Sequence, residues 1–152
     1  MFRKMRRAKK QMSDPNVEAL LIRGQDGVLG TIGDNGYPYT VVLNYVYYND
    51  KIYFHCAKVG HKIDNIKRND KVSFSVYDSV KVIGEELNTR YQSVTVFGKA
   101  RVLDATYEVL MELIKKYSQI PIQMADQMIA KEIDITSIIE IDIEHITGKE
   151  GK

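Results

Sequence analysis

The stretch Lys51–Asp70, KIYFHCAKVGHKIDNIKRND, decides how the chain is read. It opens as a strand, with Ile52 and Phe54 alternating against Tyr53 and His55. It breaks at Gly60 and resumes as a helix, with Ile63 and Ile66 at i and i+3 and polar residues between them. His61 and Lys62 fall at the start of that helix. A helix N-terminus already carries partial positive charge and unpaired N–H groups, so cations there repel the dipole unless an anion sits between them. A phosphate is the common solution. The stretch therefore predicts a phosphate pocket opening at the end of a strand.

Upstream, Ser13-Asp14-Pro15 marks a helix start, with Asp14 able to cap and Pro15 suited to the first helical position. Val17, Leu20 and Leu21 give that helix one apolar face, and Gly24 ends it. Val28 to Ile32 reads as a strand. Asn35-Gly36 signals a tight hairpin with positive φ at both central positions. One long strand follows, Tyr37 to Tyr48, and Asn49-Asp50 turns it into the strand of the opening stretch.

Downstream, Val72 to Tyr77 is a strand, and the polar connection from Asp78 to Arg90 reads as a mobile loop or short helix. Gln92 to Leu103 reads as a fifth and a sixth strand segment, bent at Gly98, which looks like a bulge or a barrel corner. Thr106 to Ser118 is amphipathic, with Val109, Leu110, Leu113, Ile114 and Tyr117 on one side. A second helix, Ile122 to Ala130, turns Met124, Met128 and Ile129 toward a core. The last strand, Ile138 to Ile143, alternates: Ile139, Ile141 and Ile143 in, Glu140 and Asp142 out. Antiparallel strands joined by short turns point to a closed or half-closed barrel.

The 152 residues are 44% hydrophobic and 28% charged, and a chain of that length buries roughly 70% of its unfolded surface as one domain. The organisation expected is a basic segment over residues 1–12, a single domain over 13–148 and a polar tail over 149–152. Net charge is only +2, so no nucleic-acid partner is expected, although six of the first ten residues are Arg or Lys. Those six read as a solvated terminus, against the competing reading of an RNA- or membrane-attracted tail. No apolar run reaches signal-peptide or transmembrane length, so a cytoplasmic location and no membrane partner are expected. The lone Cys56 excludes an intrachain disulfide and reads as a buried, inert thiol. His55, His61 and His145 are too scattered for a metal-ligand motif, and no metal is expected.

Several blocks together resemble a known family. They are Tyr37-Pro38-Tyr39 through Asn44-Tyr45-Val46-Tyr47, Ile52-Tyr53-Phe54-His55-Cys56-Ala57, Gly60-His61-Lys62-Ile63-Asp64-Asn65-Ile66, Ser93 to Ala100, and Ile146-Thr147-Gly148-Lys149. In this order they resemble the pyridoxamine-phosphate-oxidase-like flavin proteins, nearest the branch related to 5-nitroimidazole-resistance (Nim-like) proteins. The resemblance implies a mainly β fold with flanking helices: a six-stranded antiparallel split β-barrel of the FMN-binding type. It also implies a homodimer with flavin mononucleotide (FMN) at the subunit interface.

Carried over by position, Thr40, Val41, Val42, Leu43 and Asn44 would run along the isoalloxazine. His55, Cys56 and Ala57 would line the ribityl and phosphate approach. His61 and Lys62 would hold the phosphate, and Ser93 would come from a strand beside the ring, in one subunit or the other. At His61 the better-known oxidases carry an arginine; histidine makes the contact pH-dependent. Those oxidases also use a C-terminal segment with tryptophan and arginine near the substrate. This chain has no Trp and runs Gly148-Lys149-Glu150-Gly151-Lys152 there, which speaks against pyridoxamine phosphate as substrate.

The function implied is a flavin-dependent oxidoreductase acting on a small electrophile such as a nitroaromatic compound. The alternative is a non-catalytic carrier of flavin or a related cofactor (a deazaflavin, haem or pyridoxal phosphate). An RNA-associated barrel ranks below both, since the strands lack basic residues interleaved with aromatics.

Overall fold

The computed structural model describes residues 1–152. Seven strands form one antiparallel sheet: β1 (Asp26–Ile32), β2 (Pro38–Asn44), β3 (Val46–Tyr48), β4 (Lys51–Ala57), β5 (Lys71–Ile83), β6 (Asn88–Asp104) and β7 (Thr136–Gly151). Their order is β2-β1-β5-β6-β7-β4-β3. Four helices flank it: α1 (Asp14–Arg23), α2 (His61–Arg68), α3 (Tyr107–Tyr117) and α4 (Ile122–Glu132). The sheet curls round a core, and its two edge strands, β2 and β3, are joined through the single residue Tyr45. This is the split barrel expected, with seven strands instead of six.

Gln92–Leu103, read as two segments bent at Gly98, lies within one continuous strand, β6, whereas the run Tyr37–Tyr48, read as one element, divides in two. Tyr45 is fully buried, and its phenol donates to the Leu21 carbonyl at 2.6 Å. Anchoring it there turns the chain from one sheet edge to the other, so the run splits into β2 and β3.

Two hydrophobic cores result. Inside the curl lie Leu20 and Leu21 from α1, Leu29, Phe54, Phe74, Val76, Val94, Val96, Ile139 and Ile141 from the strands, and Ile63 and Ile66 from α2. Phe74 meets Phe54 and Tyr45 edge-on, with ring centres 5.1 and 5.0 Å away. Outside the curl, α3 and α4 cover β3, β4 and β7: Val109, Leu110, Met111, Leu113, Ala125 and Ile129 pack on Val46, Tyr53 and Ile138.

Local chemistry sets the boundaries. Ser13, not Asp14, caps α1, accepting from the Asn16 N–H at 3.4 Å, and Thr106 caps α3. The Asn35-Gly36 hairpin has a three-residue loop, closed by the Gly33 N–H on the Tyr37 carbonyl at 2.8 Å, and only Gly36 has positive φ, +82°. The two-residue turn with both φ positive is Asn49–Asp50.

Three stretches depart from the sequence reading. The Asp78–Arg90 connection is neither loop nor helix: β5 and β6 continue as a paired arm to a single 3-10 turn at Gly84–Glu86. Val80, Val82 and Leu87 sit on this arm exposed. On α4, Ile129 is buried but Met124 and Met128 are about half exposed, so the Met face is surface. β7 runs to Gly151 and pairs with β6 through Tyr91↔Gly151, taking in the expected tail. It also buries Glu140, because α3 and α4 cover the side on which that carboxylate lies. The bulge expected at Gly98 is present: the register shifts between Phe97 and Gly98, and a Cβ on Gly98 would collide with the Asp142 carbonyl.

Candidate functional site at the open edge of the barrel

β2 alternates inward Tyr39, Val41 and Leu43 with outward Thr40, Val42 and Asn44. The Gly33–Tyr37 hydrogen bond fixes the phase of the β1–β2 ladder. By alternation, residues 39, 41 and 43 bond to β1, and the N–H and C=O groups of Thr40, Val42 and Asn44 point away from it, on the open edge. Of the five residues predicted along a ring, these three offer both side chain and backbone to the outside. Val41 and Leu43 face the core.

α2 closes one end of the barrel beside this edge. Ile63 and Ile66 enter the core, and Asn65 donates to the Thr31 hydroxyl at 3.0 Å. Thr31 is the register partner of Tyr39, whose ring lies against the His61 imidazole with centres 4.1 Å apart. The strand edge and the helix start are therefore neighbours. Unlike α1 and α3, α2 has no side-chain cap; its N-cap is Gly60, at φ +156° with nothing near the position a Cβ would take. The first hydrogen bond there is Asp64 N–H to Gly60 O, 3.1 Å, which leaves the His61, Lys62 and Ile63 N–H groups free. Lys62 is half-buried and in no ion pair. The donor set of three N–H groups, an imidazole and an ammonium suits a phosphate.

The remaining predicted residues divide. His55 and Ala57 lie on the exposed side of β4, leading into α2. The Cys56 side chain points into the core, so only its backbone is available outside; burial pushes its thiol up, while the Lys62 ammonium pulls the other way. Ser93 is not beside β2 in the same chain. It faces outward on β6, three strands away, roughly 14 Å at about 4.8 Å per strand.

The sequence reading missed the lock on the seam between β2 and β3. Tyr117 Oη accepts the Tyr45 N–H at 3.0 Å and lies 2.7 and 2.5 Å from the carbonyls of Tyr45 and Gln25, one of which takes its proton. Lys116 Nζ donates to the Tyr45 carbonyl at 2.9 Å and sits 3.7 Å above the Tyr45 ring. Burial pulls Lys116 down to about 8 and pushes the Tyr45 phenol well above its ordinary range. Asn44 donates to the Gln25 carbonyl at 3.0 Å, which holds the last residue of β2 in the same cluster. Tyr117 had a signal, a hydroxyl at the end of an apolar helix face. Lys116, on the polar side of that helix, had none.

The outer face of β2–β1–β5–β6 bears no helix. Register places Thr40, Gly30, Ser73 and Phe97 in one row and Val42, Val28, Ser75 and Thr95 in the next. The rows are small and uncharged apart from Phe97.

Residues 13–150 match the pyridoxamine 5'-phosphate oxidase family. The chain belongs to this family. Among solved structures, the chain is similar to the conserved hypothetical protein Rv2991 from Mycobacterium tuberculosis (TM-score 0.83, 18% identity, 97% of this chain and 90% of that one). It is also similar to a putative 5-nitroimidazole antibiotic resistance protein from Bacteroides thetaiotaomicron (TM-score 0.75, 20% identity, 91% and 85%). A third is an FAD and heme binding protein from Mycobacterium smegmatis (TM-score 0.76, 21% identity, 94% and 74%). At these identities the likeness carries the fold, and it fits the mainly β, curled antiparallel sheet described above. No protein of curated function matches the sequence. No helix is long and apolar enough to cross a membrane.

Proposed function

We propose that the chain binds a flavin, FMN, between two copies of itself and uses it to reduce a small electrophile of the nitroaromatic type. The observation that carries the reading is the uncapped, cation-bearing start of α2 set against the open edge of β2. His61, Lys62 and the first N–H groups of α2 bind the phosphate. The outward N–H and C=O groups of Thr40, Val42 and Asn44 orient the ring, and Tyr45, held by Tyr117 and Lys116, keeps that strand edge in place. His55 and Ala57 line the path between. When bound, the flavin supplies the redox chemistry and the chain supplies position and exclusion of water.

The central rows of the bare face of β2–β1–β5–β6 support the second copy, since small, uncharged sheet positions without a helix suit sheet-to-sheet packing. Ser93, three strands from the ring edge, would then reach the flavin of the partner. The names of the nitroimidazole-resistance and FAD- and haem-binding relatives agree with the cofactor class and the acceptor.

Purified protein is expected to be yellow, with Lys62→Ala retaining flavin at least about tenfold more weakly, the loss of one charge-assisted phosphate contact. Colourless protein that takes up no added FMN overturns the reading. Steady-state oxidation of a reduced nicotinamide with a nitroaromatic acceptor separates an enzyme from a carrier.

A further inference from the structure

Lys71 on β5 and Lys99 on β6 are direct register partners on the outer face. Like charges directly opposite on an antiparallel pair destabilise it unless something neutralises them. Nothing in the chain does: both side chains are exposed and neither forms an ion pair. Asp142, the partner of Lys99 on β7, is bonded to Lys51 instead.

The next row of the same two strands is Ser73 opposite Phe97. Phe97 is 38% exposed and is stacked by Phe2 of the N-terminal segment, ring centres 5.4 Å apart and planes within 23°. Phe2 in turn lies almost parallel to His145, 4.8 Å away. Two ammonium groups and an aromatic stack thus flank one groove of about 440 Å³, with Glu144 on its lining but reaching neither lysine. A second hollow, about 280 Å³, shares Lys71, Val72 and Phe97 with it and extends over Gly30 and Ser73 to Thr40. Gly30, Ser73 and Thr40 belong to the bare face assigned above to the second copy, so in a pair this hollow lies at the seam between the copies. Together the groove and the hollow are of ligand-pocket size.

We propose that this groove binds a planar aromatic anion, its ring against Phe97 and Phe2 and its carboxylate or other anionic group between Lys71 and Lys99. Neither His61 nor Lys62 lines it, so it is separate from the phosphate site, yet it ends at Thr40, where the ring edge of the flavin would lie. Its use as the substrate subsite rests on the flavin reading; its ligand chemistry does not.

The test is calorimetric titration of the full chain, with whatever flavin it carries, using para-nitrobenzoate, nitrobenzene and inorganic phosphate as probes. Para-nitrobenzoate is expected to bind saturably, at least about tenfold more tightly than either other probe, and to weaken at least about tenfold in the double variant Lys71→Gln/Lys99→Gln. Phe2→Ala should weaken it less, without abolishing it. Because the variant removes a repulsion, it should melt no lower than the parent. Absence of saturable binding, equal binding by phosphate, or affinity unchanged in the double variant overturns the proposal. So does loss of bound flavin in that variant, since the lysines would then serve the cofactor. Failure of the flavin reading shows separately, as colourless protein that still binds para-nitrobenzoate.

Discussion

The two outer faces of the curled sheet have opposite character. Over β7, β4 and β3 the chain lays α3 and α4, and that face carries Val46, Tyr53 and Ile138 with a buried carboxylate, Glu140, among them. Glu140 is satisfied by the Tyr53 hydroxyl at 2.9 Å, by Arg101, and by Lys51 at 3.8 Å. Over β2, β1, β5 and β6 there is no helix, and the central rows carry glycine, serine, threonine and valine, bordered by Phe97 and the Lys71–Lys99 pair. One face is finished by the chain's own helices; the other is left bare, small and uncharged across its middle, with two unpaired lysines at one end. Under the proposed reading, the bare face is the side on which a flavin and a second copy would sit.

The largest test of this contrast is a matched pair of truncations. Leu113→Ala, on the buried side of α3, should cost about 2–5 kcal/mol in urea unfolding, and Val42→Ala, on the bare face, less than about 0.5 kcal/mol in the dissociated chain. Equal costs would break the comparison. Next, Val28→Glu places a charge in the middle of the bare face. The chain should stay folded but sediment as a single copy and lose flavin about tenfold or more, because a buried unpaired charge opposes association. Persistence of a flavin-loaded pair would show that the copies meet elsewhere.

The covered face sharpens further through Glu140. Burial pushes this carboxyl up, but Arg101, Tyr53 and Lys51 together outweigh it and hold the group below the usual carboxylate range. Its stabilisation is therefore present above the unfolded pKa and lost as pH falls through the folded one. Glu140→Gln should cost about 1–3 kcal/mol at neutral pH, with the gap to the parent closing on acidification.

The last test concerns the seam. Lys116 is lowered by burial to about 8 from 10.5. Between those values the unfolded chain binds more protons, so this lysine makes stability rise with pH there. The raised tyrosines act oppositely above about 10, where the unfolded chain loses protons first. The Tm of the parent should therefore gain on that of Lys116→Met between pH 8 and 10, and parallel profiles would leave the amine without its burial penalty.

What the sequence told of this arrangement depended on whether a signal was local. Alternation in Ile52–Ala57 and Val72–Tyr77, and the apolar spacing of Ile63 and Ile66, were enough for β4, β5 and α2. The break at Tyr45 was not visible, because a tyrosine in a β-prone run gives no hint that its hydroxyl bonds to α1. The β5–β6 arm was hidden by Gly84-Glu85-Glu86, which read as a polar loop although Val80 and Val82 already alternate. Glu140 was read outward correctly and as exposed wrongly, since cover by α3 and α4 is a tertiary fact. At the site, the Gly60-His61-Lys62 helix start was legible from its own residues, while the role given to Thr40–Asn44 came only through the family resemblance. Lys116, and the three-strand separation of Ser93 from β2, needed the topology.

The place of β7 in the sheet bears on how the domain comes into being. It is the last strand of the domain to be synthesised, yet it sits between β6 and β4, and through β4 holds β3. Until residues 136–151 leave the ribosome, β4 has only the three-residue β3 as partner and the half made of β2, β1, β5 and β6 exposes its concave side. Closure is a long-range event, slow by the measure of contact order, and falls after translation of the whole domain. A chain cut short in α4 would present an open sheet of β2, β1, β5 and β6 beside an isolated β3–β4 hairpin, the form most in need of a chaperone.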